Sequence, residues 1–148
     1  MIMRVLFIPD VGENYGAAKS FQEMVYMLAE VHGVEPVLLL SKDEQLAEFA
    51  RKNGYEYHIS GHKAFYISSG STKLRKIVKT FLRPLYTLQY KYANRKALGI
   101  VAEEVNMDKI DLIHTNVNRN DIGAIIAQKY KKKHVWHLRE FGEDDYEC

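Results

Sequence analysis

The chain has 148 residues, a formal net charge of +2, 47% hydrophobic and 27% charged residues. This is the make-up of one ordinary globular domain able to bury roughly 70% of its unfolded surface, which excludes disordered and collagen-like chains. One cysteine, Cys148, excludes an internal disulfide and a cysteine-based zinc site, and no apolar run reaches the ~18 residues of a membrane span. The opening Met1–Asp10 offers no signal-peptide core, so the expected location is cytoplasmic.

Taken in chain order, Arg4–Ile8 is a short apolar run closed by Pro9-Asp10-Val11-Gly12 and predicts a buried strand. Ala17, Ala18, Phe21, Met24, Val25 and Leu28 then recur at helical spacing until Gly33. Pro36–Leu40 predicts a second buried strand. Ser41-Lys42-Asp43-Glu44 has the form of a capping box for a helix that Asn53-Gly54 stops. Tyr55–Ile59 predicts a third strand and Ser60–Thr72 a polar loop. A long helical region from Lys73 to about Val105 contains Pro84, which predicts a kink or two consecutive helices. Leu112–Thr115 predicts a fourth strand, and Asn118 or Asn120 a cap for the helix bearing Ile122, Ile125, Ile126 and Tyr130. Lys133–Leu138 predicts a fifth strand. Strands alternating with helices give an α/β fold: a Rossmann-like parallel sheet of about five or more strands, helices on both faces, one domain over 1–148.

Ligands of such sheets bind beyond the carboxyl ends of the strands. Three segments leave those ends with capable side chains. Asp10–Gly16 runs into a helix whose free amides suit a phosphate, although strand-to-helix turns need glycine in any case. His114–Asn120 is equally explained by turn and cap chemistry. Trp136–Gly142 carries His137 and Arg139, an imidazole able to take a proton from a hydroxyl and a guanidinium able to hold phosphate or carboxylate. A structural histidine bonded to Glu140 or to backbone fits the same spacing. His134 and His137 fall on opposite faces of a strand, and His58 with His62 lacks further ligands, so no metal is expected.

Charge distribution adds a second theme. No acidic residue stands between Glu56 and Glu103, while Lys63, Lys73, Arg75, Lys76, Lys79, Arg83, Lys91, Arg95 and Lys96 all do. Leu74, Ile77, Val78, Phe81, Leu82, Leu85, Leu88 and Tyr92 form an apolar stripe with Arg75, Lys76, Lys79 and Arg83 opposite it. Packed on the sheet, the stripe would leave merely solvated lysines. The absence of acids points instead to an anionic partner, and anionic lipid attracts about 1 kcal/mol per basic residue. Tyr86, Tyr90 and Tyr92 would sit at headgroup level. With no RNP, KH or helix-turn-helix signature, nucleic acid is not the expected anion.

These segments together resemble the N-terminal domain of family 4 glycosyltransferases of the GT-B fold. Arg4–Ile8 followed by Tyr15-Gly16-Ala17-Ala18-Lys19-Ser20 is similar to their first strand and glycine loop. Asp111-Leu112-Ile113-His114-Thr115-Asn116 is similar to their Asp-Ile-Ile-His-x-Asn strand. Trp136-His137-Leu138-Arg139-Glu140-Phe141 resembles the His-x-Arg-Glu element of a bacterial group making capsule, exopolysaccharide and lipopolysaccharide sugars. The resemblance implies retaining transfer of a sugar from a nucleotide-sugar to a saccharide acceptor, often lipid-linked, without metal or cofactor. It implies a catalytic role for His137, and donor-diphosphate or acceptor binding by Asn14, Tyr15, Gly16, Ala17, Lys19, Asn116, Arg139 and Glu140. It also implies a peripheral place at the inner face of the cell membrane, with Lys73, Arg75, Lys76, Lys79 and Arg83 facing the lipid. Ala17 and Lys19 depart from the family's glycine and acid or amide. The family's second, nucleotide-sugar-binding domain is not in these 148 residues, so the expectation is an acceptor-binding half. The alternatives are a non-catalytic membrane-recruiting subunit of a separate catalytic chain and a flavodoxin-like small-molecule-binding domain.

Overall fold

The computed structural model describes residues 2–11, 15–64, 73–117 and 119–138, with the side chains of Tyr15 and of 73–80 left aside. The elements follow as β1 (Arg4–Ile8), α1 (Tyr15–Glu30), β2 (Glu35–Leu40), α2 (Gln45–Asn53) and β3 (Glu56–Ile59). After these come α3 (Lys73–Glu104), a 3-10 turn at Met107–Lys109, β4 (Leu112–Asn116), α4 (Ile122–Tyr130) and β5 (Lys133–His137). All four strand pairings are parallel and the order is β3-β2-β1-β4-β5. The predicted Rossmann-like α/β sheet is therefore present, and crossing back at β1 places a switch point between β1 and β4.

The near-continuous apolar runs of β1 and β2 are what burial on both faces demands. Val5, Phe7, Leu38 and Leu40 pack under Ala18, Phe21 and Val25 of α1 and Leu46, Ala47 and Ala50 of α2. Leu6, Ile8, Val37, Leu39 and Ile113 pack on the other face with Ala97, Val101 and Val105 of α3 and Ile122 and Ile126 of α4. Gly123 of α4 makes close approach to β4 feasible, since a Cβ there would lie 1.8 Å from Thr115 Oγ1.

One local expectation is corrected and another narrowed. Ser41 caps no helix: its hydroxyl donates to the His62 carbonyl at 2.8 Å, and α2 starts after Glu44 with no side-chain cap. That bond ties β2 to the segment leaving β3, a tertiary use the local motif could not announce. Of the two alternatives at Pro84, that of two consecutive helices is excluded, because α3 runs through it as one 32-residue helix. The stop at Gly54 holds, with φ at 69° and its N–H bonded back into the last turn of α2.

The most consequential departure concerns where α3 touches the sheet. Asn94, Ala97, Val101 and Val105 face inward and are buried. Every residue from 81 to 89 is exposed. Successive residues turn about 100°, which puts Tyr92 on nearly the opposite side from Asn94. Phe81, Leu85, Leu88 and Tyr92, 81%, 52%, 64% and 74% exposed, thus form an outward stripe rather than a sheet-packing one. The part of α3 before Ala93 spans about 30 Å at 1.5 Å per residue.

Candidate functional site

At the carboxyl edge, β4 and β5 bring together residues 23 apart or fewer in sequence. Cα register pairs Asn116 with His137 and His114 with Val135. Alternation along the strands then sets His114, Asn116 and His137 on one face, the face that α1 covers. Phe21, Phe7, His114 and His137 form a chain of rings with centroids 6.3, 5.5 and 5.8 Å apart. Core packing thereby fixes the position of His137, itself half-buried at the rim. Asn116 is 1% exposed, and its Oδ1 accepts no hydrogen bond among the described residues. A buried acceptor without a donor costs about 1–3 kcal/mol, so it is a place where a ligand's O–H or N–H is favoured.

The turn leaving β4 is strained. Val117 has φ at 78°, a left-handed conformation rare for a β-branched residue, and is held by its N–H on the His137 carbonyl at 2.9 Å. Its own carbonyl accepts Trp136 Nε1–H at 2.9 Å. The strain and both bonds lock the ends of β4 and β5 side by side, which is what holds Asn116 beside His137.

On the other face of the same edge lies a second polar assembly. His62 is fully buried, with Nδ1 2.7 Å from Ser60 Oγ and Nε2 3.2 Å from Asn120 Nδ2. Ser60 Oγ donates to the Leu40 carbonyl at 3.3 Å, and Asn120 Nδ2 to the Pro9 carbonyl at 2.9 Å. With Ser60 and Asn120 both committed as donors in this way, the network is complete only for a neutral imidazole with its proton on Nδ1. Burial pushes the His62 pKa down to about 4. Next to it, Arg119 pairs with the buried Asp10 at 2.6 Å, and Asn94 clamps Lys63 N–H and carbonyl at 2.9 and 3.3 Å. Tyr90 OH donates to Asp121 Oδ2, and burial with that bond raises the phenol's pKa to about 12. Tyr90 is thus a structural tie between α3 and the start of α4 rather than a headgroup-level ring, unlike the exposed Tyr86 and Tyr92.

The remaining expected residues scatter. Gly16 is exposed and Ala17 half-buried at the start of α1; a Cβ on Gly16 would meet nothing within 4 Å. Lys19 is exposed and lines a groove of about 520 Å³ between α1 and α2 with Glu23, Glu48 and Phe49. Asn14, Arg139 and Glu140 lie outside the described residues, as does the side chain of Tyr15. Of the basic residues on α3, Arg83 is exposed, and the side chains of Lys73, Arg75, Lys76 and Lys79 lie outside what is described. His58 and His62 do not meet: His58 sits between Glu56 and Glu104, 3.1 Å from each. His134 lies on the face opposite His137, its Nε2 2.8 Å from Thr115 Oγ1, and burial lowers its pKa. Among the described residues no cluster of three His, Cys, Asp or Glu side chains is arranged to hold a metal. Sequence reasoning missed the Ser60–His62–Asn120 network; the one available signal was three polar residues beside predicted strand ends. None of the described helices is long and apolar enough to cross a membrane.

Compared with protein-family models and with curated protein sequences, the chain matches none. The class that fold and edge define is accordingly a Rossmann-like α/β domain with its polar side chains gathered at the carboxyl edge of the sheet.

Proposed function

We propose that this chain is the acceptor-binding half of a retaining glycosyltransferase, working in the cytoplasm at the inner face of the cell membrane. The observation that carries the reading is the pairing of His137 with Asn116 at the carboxyl edge, one half-buried imidazole beside one buried amide oxygen that has no donor among the described residues. In this reading the Asn116 amide holds a sugar hydroxyl in place. The His137 imidazole, at the rim, accepts a hydrogen bond from the acceptor hydroxyl, which attacks the anomeric carbon on the face the diphosphate leaves, as retention requires, and passes its proton to the departing diphosphate oxygen. The bond to the nucleoside diphosphate breaks as the new glycosidic bond forms. Arg139 and the amides at the start of α1 meet the departing diphosphate, and the nucleotide-sugar is bound chiefly by a second domain. Alone, this half lacks the groups that complete the cleft, so its own turnover is near zero.

The experiment is saturation-transfer NMR of the chain with a panel of saccharides and nucleotide-sugars. Contacts from saccharide protons that vanish in Asn116→Ala support the reading. A panel in which no saccharide contacts the wild type removes it.

A second reading draws on one specific observation, the outward stripe of α3 beside a tract without acids. It makes the chain a membrane-recruiting subunit of a separate catalytic partner. Both readings share an anionic membrane surface as the partner of residues 73–96, and they part on whether Asn116→Ala affects sugar transfer.

A further inference from the structure

Between the carboxyl end of β3 and the side of α3 lies a cleft of about 370 Å³. Half-buried Ile59, Ala93 and Ile100 give it an apolar floor, and exposed Lys63, Lys96 and Tyr92 stand at its rim. Among the described residues no carboxylate lines it. Lys63 is not a loose surface lysine, because Asn94, itself buried, holds its backbone at both N–H and carbonyl. Its Nζ reaches Gln89 Oε1 at 3.5 Å, a neutral acceptor that leaves the positive charge uncancelled. Lys96 follows Tyr92 by one helical turn, so ammonium and ring share one side of α3. Tyr92 is also the last member of the outward apolar stripe, which makes the cleft mouth continuous with that stripe.

A cleft with two ammonium groups, no acid and an apolar floor is complementary to a compact group carrying about two negative charges attached to hydrocarbon. A phosphomonoester has roughly that charge near neutral pH, and lysine ammonium groups meet phosphate as point charges. We propose that this cleft binds the phosphomonoester head of a membrane lipid, held between Lys63 and Lys96 while the stripe of α3 lies in the acyl boundary. The inference rests on the membrane reading above and adds to it a headgroup preference that a simple basic surface lacks. Diffuse electrostatic attraction follows surface charge alone, whereas a two-lysine cleft distinguishes a terminal phosphate from other anionic heads.

The test is co-sedimentation of the full chain with phosphatidylcholine vesicles doped with phosphatidic acid or with phosphatidylserine, matched for zeta potential. The expected result is binding several-fold tighter to phosphatidic acid. In Lys63→Ala plus Lys96→Ala the preference disappears while binding to phosphatidylserine persists, with the circular dichroism spectrum unchanged. Equal binding of wild type to both vesicles, or a preference that survives the double variant, overturns the cleft and leaves the membrane reading standing. Absence of binding to either vesicle overturns both. Glycerol 3-phosphate separates a lipid from a soluble source: if it binds at Lys63 and Lys96 as tightly as the doped vesicles do, the ligand is a free phosphate ester and the lipid assignment fails.

Discussion

Lowering the pH should destabilise this fold, and His62 should carry the largest share of the effect. Its ring is fully buried, and its neutral form satisfies every partner around it: Ser60 at Nδ1 and the Asn120 amide N–H at Nε2. A second proton would have to go on Nε2, where it would face a donor instead of an acceptor. The folded pKa of about 4 lies below the ordinary 6.5, so the unfolded chain binds the proton first. The stabilising contribution is therefore complete above pH 6.5 and is lost as pH falls through the window from 6.5 to 4. At 1.36 kcal/mol per pH unit the full loss is about 3 kcal/mol, and between pH 7 and pH 5 it is about 2 kcal/mol. His134, whose pKa is also lowered by burial, acts with the same sign, so the measurement must be a difference. Urea unfolding of wild type and His62→Gln at pH 7, 6 and 5 supplies it. Wild type should lose about 2 kcal/mol more than the variant over that range. Parallel pH dependence of the two proteins would refute the reasoning, and with it the neutral network at the carboxyl edge.

Three further outcomes follow from the packing. Gly123→Ala places a Cβ against Thr115 Oγ1 and should cost about 1–3 kcal/mol in thermal or urea melts despite the better helix propensity of alanine, with Thr115→Ala restoring part of it. Tyr90→Phe removes the hydroxyl that bonds Asp121 and should lower urea stability by about 1.5–3 kcal/mol while vesicle binding stays unchanged. Leu85→Glu plus Leu88→Glu should shift stability by no more than about 0.5 kcal/mol, since both side chains are exposed, yet should abolish vesicle binding; a large loss of stability would mean that the stripe is packed.

The strands were legible in the sequence because apolar runs such as Val5–Ile8 and Val37–Leu40 admit little else once both faces are buried. Helix ends marked by glycine at C′ were legible for the same reason of local physics, as Gly54 shows. The Ser41 motif misled because a hydroxyl that can cap a helix can equally bond a distant carbonyl, and only the tertiary neighbourhood of His62 decides. In α3 the apolar period was readable, but the direction of the stripe was not. A helix longer than the strands it covers has to leave part of its length off the sheet, and Asn94 and Ala97, small and partly polar, carry the buried face there. At the edge, His137 and Asn116 were identifiable as residue types on strand ends. Their adjacency depends on the β4–β5 register and on the positive φ of Val117, neither of which has a sequence signature in a valine. His62 was invisible as a network centre because the network gathers groups from four separate stretches of chain, at Pro9, Leu40–Ser41, Ser60–His62 and Asn120.

In the proposed reading, the edge formed by Asn116 and His137 takes part in transferring a sugar. The most direct test is a transfer assay on the product of the whole reading frame containing these 148 residues, with cytoplasmic membranes as acceptor source and labelled nucleotide-sugars in turn. The account predicts label in the lipid-extractable fraction from at least one donor, and a fall of about 100-fold or more in His137→Ala with the melting curve preserved. An undiminished rate in that variant, or no transfer from any donor by a protein that includes the nucleotide-sugar-binding domain, would contradict it.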